Sequence, residues 1–199
     1  ISSISHRQAF FIFANKLMYS SEFDTLLSHI TFNAMLPLVH YVPLGLIDYK
    51  EAWDLQENLF NTTISQKIEI RNGATDIVTK NHLLFCEHPS VYTLGKSGKK
   101  ENVLMSDAEL QQNDIAFFAT NRGGDITFHG LQQLVGYPIL DLENFYTDIG
   151  KYLRNLEEVI IQTIAEYGII GHRTKGETGV WIEPDVPGRE RKICAIGVR

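Results

Sequence analysis

Cysteine is scarce in this chain. Only two, Cys86 and Cys194, occur in 199 residues, so the sequence offers no disulfide framework. Both lie in apolar surroundings, which favours reduced thiols and predicts a cytoplasmic protein. Cys86 stands in the apolar run His82–Glu87 with no basic neighbour that would lower its pKa. We therefore interpret Cys86 as a core thiol.

Long apolar runs and an excess of positive charge are missing as well. No stretch approaches the ~18 apolar residues that a membrane span needs. The formal net charge of −6 and the pI near 5.6 argue against a surface made for nucleic acid. We therefore expect neither a membrane nor a nucleic acid among the partners. The length fits one domain.

The first part of the chain carries few signals. Phe10–Ala14 is apolar but short and has no clear small-residue cleavage site, so we do not interpret it as a signal peptide. We expect an accessory segment of unknown role over residues 1–40.

Apolar periodicity predicts helices and strands in alternation from Val42 onward. The expected helices are Tyr49–Phe60 with Asp48 and Glu51 as capping box, Ser106–Gln112 with Ser106 and Glu109 as capping box, and a third capped by Thr147 and ended by Gly168. The expected strands are Val42–Leu46, His82–Glu87, Val91–Gly95, Ile115–Ala119, Gln133–Leu140, Gly179–Glu183 and Lys192–Val198. Pro138 predicts an edge strand or a bulge. This order favours an α+β fold with a mixed, largely antiparallel sheet and packed helices.

The stretch Asn121–Pro138 opens with Arg122, Gly123 and Gly124. Two glycines suit a turn that wraps closely round a ligand, Arg122 supplies a cation, and His129 is readily tuned near neutral pH. A plain β-turn with a surface arginine and a buried histidine explains the same residues. His88 has two interpretations as well: it either faces the site or is a structural histidine beside a proline turn.

Lys192 begins an apolar strand in which Cys194 shares its face. An ammonium group beside a thiol stabilises the thiolate, so the two residues form a candidate reactive pair. We discount the pair because a small side chain between Ile193 and Ala195 is more often core filling.

Four blocks in one order resemble the lipoyl(octanoyl) transferase family. They are Glu87–Gly95, Arg122–Gly130 with Gln133–Val135, Thr178–Trp181 and Lys192–Gly197. Two features depart from the family pattern. Leu131 and Gln132 replace Pro-Gly after the His-Gly pair, and the family's nucleophilic cysteine follows the Lys192 block by some tens of residues, beyond Arg199.

The resemblance implies a biotin/lipoate protein ligase-like fold and an acyltransferase catalytic domain over residues 41–199, incomplete at its C-terminus. The implied reaction moves an octanoyl group from acyl carrier protein to a cysteine thioester. The group then passes to a lysine on lipoyl domains of 2-oxo acid dehydrogenases or the glycine-cleavage H protein. No cofactor or metal is implied.

The resemblance also assigns roles to residues. Lys192 would be the catalytic residue that lowers the pKa of the distant cysteine. The substrate-binding set would be Arg122, Gly123, Gly124, Asp125, Ile126, Thr127, Phe128, His129, Ala195, Ile196 and Gly197. Phe128 would offer an aromatic face to an eight-carbon chain.

Two other functions remain open on the sequence. One is an ATP-dependent lipoate or biotin protein ligase of the same fold, and the other is a non-catalytic protein that binds acylated carrier domains. The segments Thr127–Gly130 and Lys192–Cys194 favour the transferase. The basic cluster Lys96–Lys100 is either a solvated loop or a docking point for an acidic partner.

Overall fold

The computed structural model describes residues 37–198. Their contacts form two compact units: Pro37–Asn144 together with Gly197 and Val198, and Phe145–Ile196. We call them the larger unit and the smaller unit.

The larger unit holds two three-stranded mixed sheets. Its elements are β1 Val39–Leu46, α1 Tyr49–Arg71, β2 Asn81–Glu87, β3 Val91–Leu94, α2 Asp107–Gln112, β4 Ala116–Ala119, β5 Ile126–His129 and β6 Val135–Ile139. One sheet has the order β1-β2-β6 and the other β4-β3-β5, each with one parallel and one antiparallel pair. Pro138 lies on the edge strand β6, as predicted.

The core of the larger unit is built on β2. Leu83, Leu84, Phe85 and Cys86 are buried in succession, and Ala52 of α1 is fully buried as well. A strand buried on both faces reads as a continuous apolar run, which explains why the sequence showed no alternation there.

Helix α1 extends beyond its predicted end at Phe60, to Arg71. The apolar spacing fades at Phe60, which led to the predicted end. No glycine or proline follows until Gly73, which has a φ of +101°, so the helix continues to Arg71. The Asp48 side chain makes no capping hydrogen bond, so the first predicted capping box is wrong. The second is confirmed, because Ser106 and Glu109 cap each other.

The smaller unit contains α3 Ile149–Ala165, β7 Val180–Ile182 and β8 Arg191–Cys194, with β7 and β8 antiparallel. Asp148 caps α3 in place of the predicted Thr147 by accepting from the Lys151 N–H at 2.9 Å. Gly168, with φ +72°, ends the helical segment as predicted. Its N–H bonds the Ala165 carbonyl and the Ile169 N–H bonds the Ile164 carbonyl, which is a Schellman motif. Strand β8 ends at Cys194, before the predicted Val198.

A buried carboxylate joins α3 to the start of β7. Glu157 is fully buried, and its Oε2 accepts from Arg154 at 2.7 Å and from Arg173 at 3.1 Å. Its Oε1 accepts the Gly179 N–H at 2.9 Å. Sequence periodicity gave no sign of this network, since Glu157 lies beside the apolar face of the helix.

Replacing Glu157 with Ala should lower the free energy of unfolding by about 3 kcal/mol, because it leaves the Arg154 side chain and the buried Gly179 N–H without their acceptor and removes one acceptor of Arg173. Glu157→Gln should cost less, since its amide oxygen still accepts from Gly179. Urea unfolding measures both, with exposed Glu190→Ala as control. An equal effect of Glu157→Ala and Glu190→Ala would contradict the account.

Candidate functional site

The turn between β4 and β5 is held by the loop that follows β3. The Lys96 N–H donates to the Arg122 carbonyl at 3.0 Å, and the Ser97 N–H donates to the Gly124 carbonyl at 3.2 Å. Gly124 has a φ of +87°, a conformation that glycine adopts without strain. The sequence therefore places glycine where the turn requires it.

Glycine also lets three backbone segments meet at this turn. A Cβ on Gly95 would lie 2.3 Å from the Gly124 carbonyl oxygen, and one on Gly197 would lie 3.1 Å from the Gly123 oxygen. The Gly123 N–H points to the Val198 carbonyl at 3.4 Å. Two separate stretches of the predicted binding set, the turn and Gly197, thus come together.

Arg122 braces the turn from within. Its Nη2 donates to the Thr93 carbonyl at 2.7 Å and to Thr93 Oγ1 at 2.9 Å, and its Nη1 donates to the Gly123 carbonyl at 2.9 Å. The half-buried guanidinium is therefore committed to the fold along three hydrogen bonds. This arrangement is neither the surface arginine of the plain turn nor a side chain free to grip a ligand.

His129 continues the same chain of hydrogen bonds. Its Nε2 lies 3.4 Å from Thr93 Oγ1 and its Nδ1 lies 2.6 Å from Gln133 Oε1. Gln133 Nε2 donates to the Phe128 carbonyl, which orients the amide oxygen toward the ring, so Nδ1 carries the proton. Burial, with smaller contributions from His88 and Arg122, lowers the pKa of His129. The imidazole is therefore neutral at pH 7.

His88 is structural. It is fully buried, with Nδ1 2.8 Å from the Ile47 carbonyl and Nε2 2.8 Å from the Tyr137 hydroxyl. Burial lowers its pKa. Burial also raises the pKa of the neighbouring Cys86 thiol to about 12, which confirms its interpretation as a core thiol.

Strand β5 divides the remaining predicted residues between two faces of its sheet. Ile126 and Phe128 point one way, and Thr127 and His129 the other. Phe128 is 42% exposed and packs on Tyr92 with ring centroids 5.0 Å apart. Asp125 accepts from Asn102 at 2.7 Å, at the edge of the turn. The segment therefore does not form one continuous wall.

Lys192 lies on β8 in the smaller unit, opposite Trp181. Its Nζ is 3.2 Å from Glu177 Oε2 and 4.9 Å from the centroid of the Trp181 ring. Burial, and to a smaller extent the Glu157 charge, raise the pKa of Cys194 to about 11, and Lys192 opposes this shift only in part. Lys192 therefore does not activate the Cys194 thiol, which agrees with our decision to discount the pair. The Ile196 carbonyl accepts from Thr178, and Ala195 is exposed.

Leu131 and Gln132, which depart from the family's Pro-Gly, lie in a turn where Gln132 has a positive φ. Gln132 stands where the resembling family has glycine, and its φ is +67°. Its N–H donates to Glu87 Oε2 at 2.7 Å. The chain thus keeps a glycine-type turn with a side chain that is rare in that conformation.

Two cavities lie near the N-terminal half of α1. One, of about 190 Å³, is lined chiefly by Tyr49, Pro89, Val91 and Phe118, and the other, of about 340 Å³, by Trp53, Asp54 and Asn121. Residues 122–129 line neither. Among residues 37–198, no helix has the length and apolar content to cross a bilayer. The same part of the chain has no cluster of three or more His, Cys, Asp or Glu side chains arranged for a metal ion.

Solved structures define the class of fold. The bipartite lipoate protein ligase from Thermoplasma acidophilum, described with its E2 lipoyl domain, aligns with a TM-score of 0.51 and 16% identity over 78% of this chain and 54% of that one. LipL1 of P. falciparum in complex with lipoate aligns with a TM-score of 0.50 and 13% identity over 73% and 41%. The predicted α+β, lipoate/biotin ligase-like fold is confirmed.

Residues 48–199 match the lipoyl protein ligase A/B catalytic domain, and the chain belongs to that family. An octanoyltransferase of Cytophaga hutchinsonii is 58% identical over 158 residues, which are 78% of this chain and 65% of the relative. An octanoyltransferase of Christiangramia forsetii is 58% identical over 156 residues, 78% of this chain and 66% of the relative. The chain thus spans about two thirds of these relatives' length.

Gln132→Gly should raise the free energy of unfolding by about 1 kcal/mol, because glycine adopts the positive φ without strain and retains the N–H that meets Glu87. Leu131→Gly is the matched control. It should lower stability, since only chain flexibility changes there. Thermal unfolding of both variants measures the difference, and a loss of stability in Gln132→Gly would refute the strain.

Proposed function

We propose that the full-length protein is an octanoyltransferase of protein lipoylation. It takes an octanoyl group from the thioester of acyl carrier protein onto a cysteine beyond Arg199. It then passes the group to the ε-amine of a lysine on a lipoyl domain, in 2-oxo acid dehydrogenases or the glycine-cleavage H protein. We place this reaction in the cytoplasm, and it requires no cofactor.

The contact between the double-glycine turn and Gly197 carries the proposal. Gly123 and Gly197, which belong to two stretches that the family resemblance assigns to substrate, approach each other there through backbone atoms. Relatives 58% identical to the chain bear the name octanoyltransferase, which supports the same activity. Exposed Phe128 supplies apolar surface for the acyl chain, whose burial is favourable by about 0.8 kcal/mol per methylene.

The acid–base behaviour of the thiols supports a nucleophile elsewhere in the protein. Burial keeps Cys86 and Cys194 protonated at pH 7, with pKa values raised to about 12 and about 11. A thiolate, not a thiol, attacks a thioester. Since the family resemblance also implies a nucleophilic cysteine beyond Arg199, we propose that a cysteine there is the nucleophile.

Lys192 is the proposed catalytic residue. Its ammonium group would stabilise the thiolate and then donate a proton to the leaving carrier thiolate. The resulting neutral amine would take up the proton that the acceptor lysine loses when the amide forms, which restores the ammonium group and the thiolate. Attack forms the enzyme thioester and releases the carrier thiol. Aminolysis then forms the amide and frees the enzyme thiol, so two steps replace one difficult transfer. The amide product makes the second step favourable without ATP.

Lys192→Ala in the full-length protein should slow octanoyl transfer at least about 100-fold, as loss of acid–base catalysis does, while the fold is kept. Lys175→Ala, at an exposed lysine of the same unit, is the control. Transfer from octanoyl-acyl carrier protein should proceed without nucleotide. Transfer of free octanoate that depends on ATP would identify a ligase, and an unchanged rate in Lys192→Ala would remove the residue from the mechanism.

The basic loop offers a second test. Lys100 is paired with Asp107, Nζ to Oδ2 3.1 Å, whereas Lys96 and Lys99 are exposed. Replacing Lys96 and Lys99 with Gln should raise KM for the acidic carrier protein about threefold at low salt, and weaken its dependence on salt, because rim charges steer association. Lys80→Gln with Lys175→Gln removes the same charge elsewhere. Equal effects of the two double variants would leave the loop without a docking role.

A further inference from the structure

The side chain of Lys192 is confined by neighbours on and before β7. A Cβ on Gly179 would lie 2.9 Å from Lys192 Cε, so the missing side chain makes room for the lysine. The Trp181 ring lies under the ammonium group, with Nζ 4.9 Å from its centroid. Glu177 Oε2 is 3.2 Å from the same nitrogen. Three separate features thus fix one flexible side chain.

Two groups contact the Lys192 ammonium nitrogen, the Trp181 ring and the Glu177 carboxylate. The Lys192 and Glu177 side chains are 34% and 55% exposed, and an ion pair so open to water adds little stability. A tryptophan face attracts a cation and is the best aromatic group for this contact. Trp181 and Lys192 are also paired directly across the two strands, so the ring and the lysine stem stand side by side.

The backbone of Trp181 is held on both sides of its strand. The backbone N–H of Trp181 donates to the His172 carbonyl, and the Trp181 carbonyl accepts from the His172 backbone N–H, each at 2.8 Å, while β8 with Lys192 pairs on the other side. Its Nε1 is buried without a hydrogen-bond partner. A buried unpaired N–H carries a free-energy cost, so the orientation of the ring is not set by its polar atom. The face of the ring lies against the Lys192 ammonium group.

We propose that Trp181 is a positioning residue that holds the Lys192 ammonium group in one place for the reacting thiol, with Glu177 as its charge partner. The inference rests on the proposed catalytic role of Lys192. Without the ring the ammonium group samples more positions, because a lysine side chain has four freely rotating bonds. It then stabilises a thiolate less well, and acylation slows without a change in carrier binding.

The kinetic test uses the full-length protein with octanoyl-acyl carrier protein in single turnover. Trp181→Leu should lower the acylation rate constant about fivefold with KM unchanged, and shift the pH midpoint for alkylation of the nucleophilic cysteine upward. Trp181→Phe, which keeps a ring face, should recover most of the rate. Glu177→Gln should lower the rate about twofold. Exposed Glu190→Gln is the control and should change neither quantity.

A double variant separates positioning from mere support of the fold. In a Lys192→Ala background, Trp181→Leu should have no further effect, because the group that it positions is gone. An equal loss in both backgrounds would overturn the inference. If Lys192→Ala slows acylation and Trp181→Leu does not, the inference is overturned while the proposed function stands.

Nuclear magnetic resonance tests the contact without acyl transfer. The ε-methylene protons of Lys192 should show an upfield ring-current shift that Trp181→Leu abolishes and Trp181→Phe retains in part. Absence of the shift in an active enzyme would overturn the positioning role alone. Its presence in a protein that transfers no octanoyl group would leave the contact intact and refute the proposed function.

Discussion

Close backbone approach at glycine is the constraint on which the candidate site depends. The Gly124 carbonyl occupies space that any Cβ on Gly95 would need, and the Gly123 carbonyl does nearly the same beneath Gly197. Arg122 then locks the turn by bonding Thr93 on the adjacent strand. The turn is therefore held by backbone contacts and one guanidinium.

In the smaller unit, a buried carboxylate and a glycine together determine where the proposed catalytic lysine lies. Glu157 fixes the Gly179 N–H, and Gly179 in turn leaves room for Lys192 beside Trp181. The start of β7, which packs beside the proposed catalytic lysine, is thus fixed by a carboxylate that touches no reacting group. Burial raises the pKa of both Cys86 and Cys194. The packing around Lys192 therefore also keeps the nearby Cys194 as an unreactive neutral thiol.

Features set by residues adjacent in sequence were predictable, whereas side-chain contacts between distant residues were not. The Ser106 capping box and the Gly168 helix end follow from a few adjacent residues, and both predictions are confirmed. The end of α1 was missed because helix propensity continues after the apolar spacing fades. The roles of Glu157 and Arg122 could not be read from sequence, since their partners Arg173 and Thr93 lie far along the chain. The assignments of residues 122–129 and 195–197 to substrate came from family resemblance and stay a prediction.

The most direct test of the central claim is to locate the acyl group. The full-length protein is incubated with octanoyl-acyl carrier protein, digested under conditions that preserve thioesters, and mapped by mass spectrometry. The account predicts an octanoyl adduct on a cysteine beyond Arg199, formed faster with Lys192 than with Ala at that position. An adduct on Cys194 or Cys86 would contradict it.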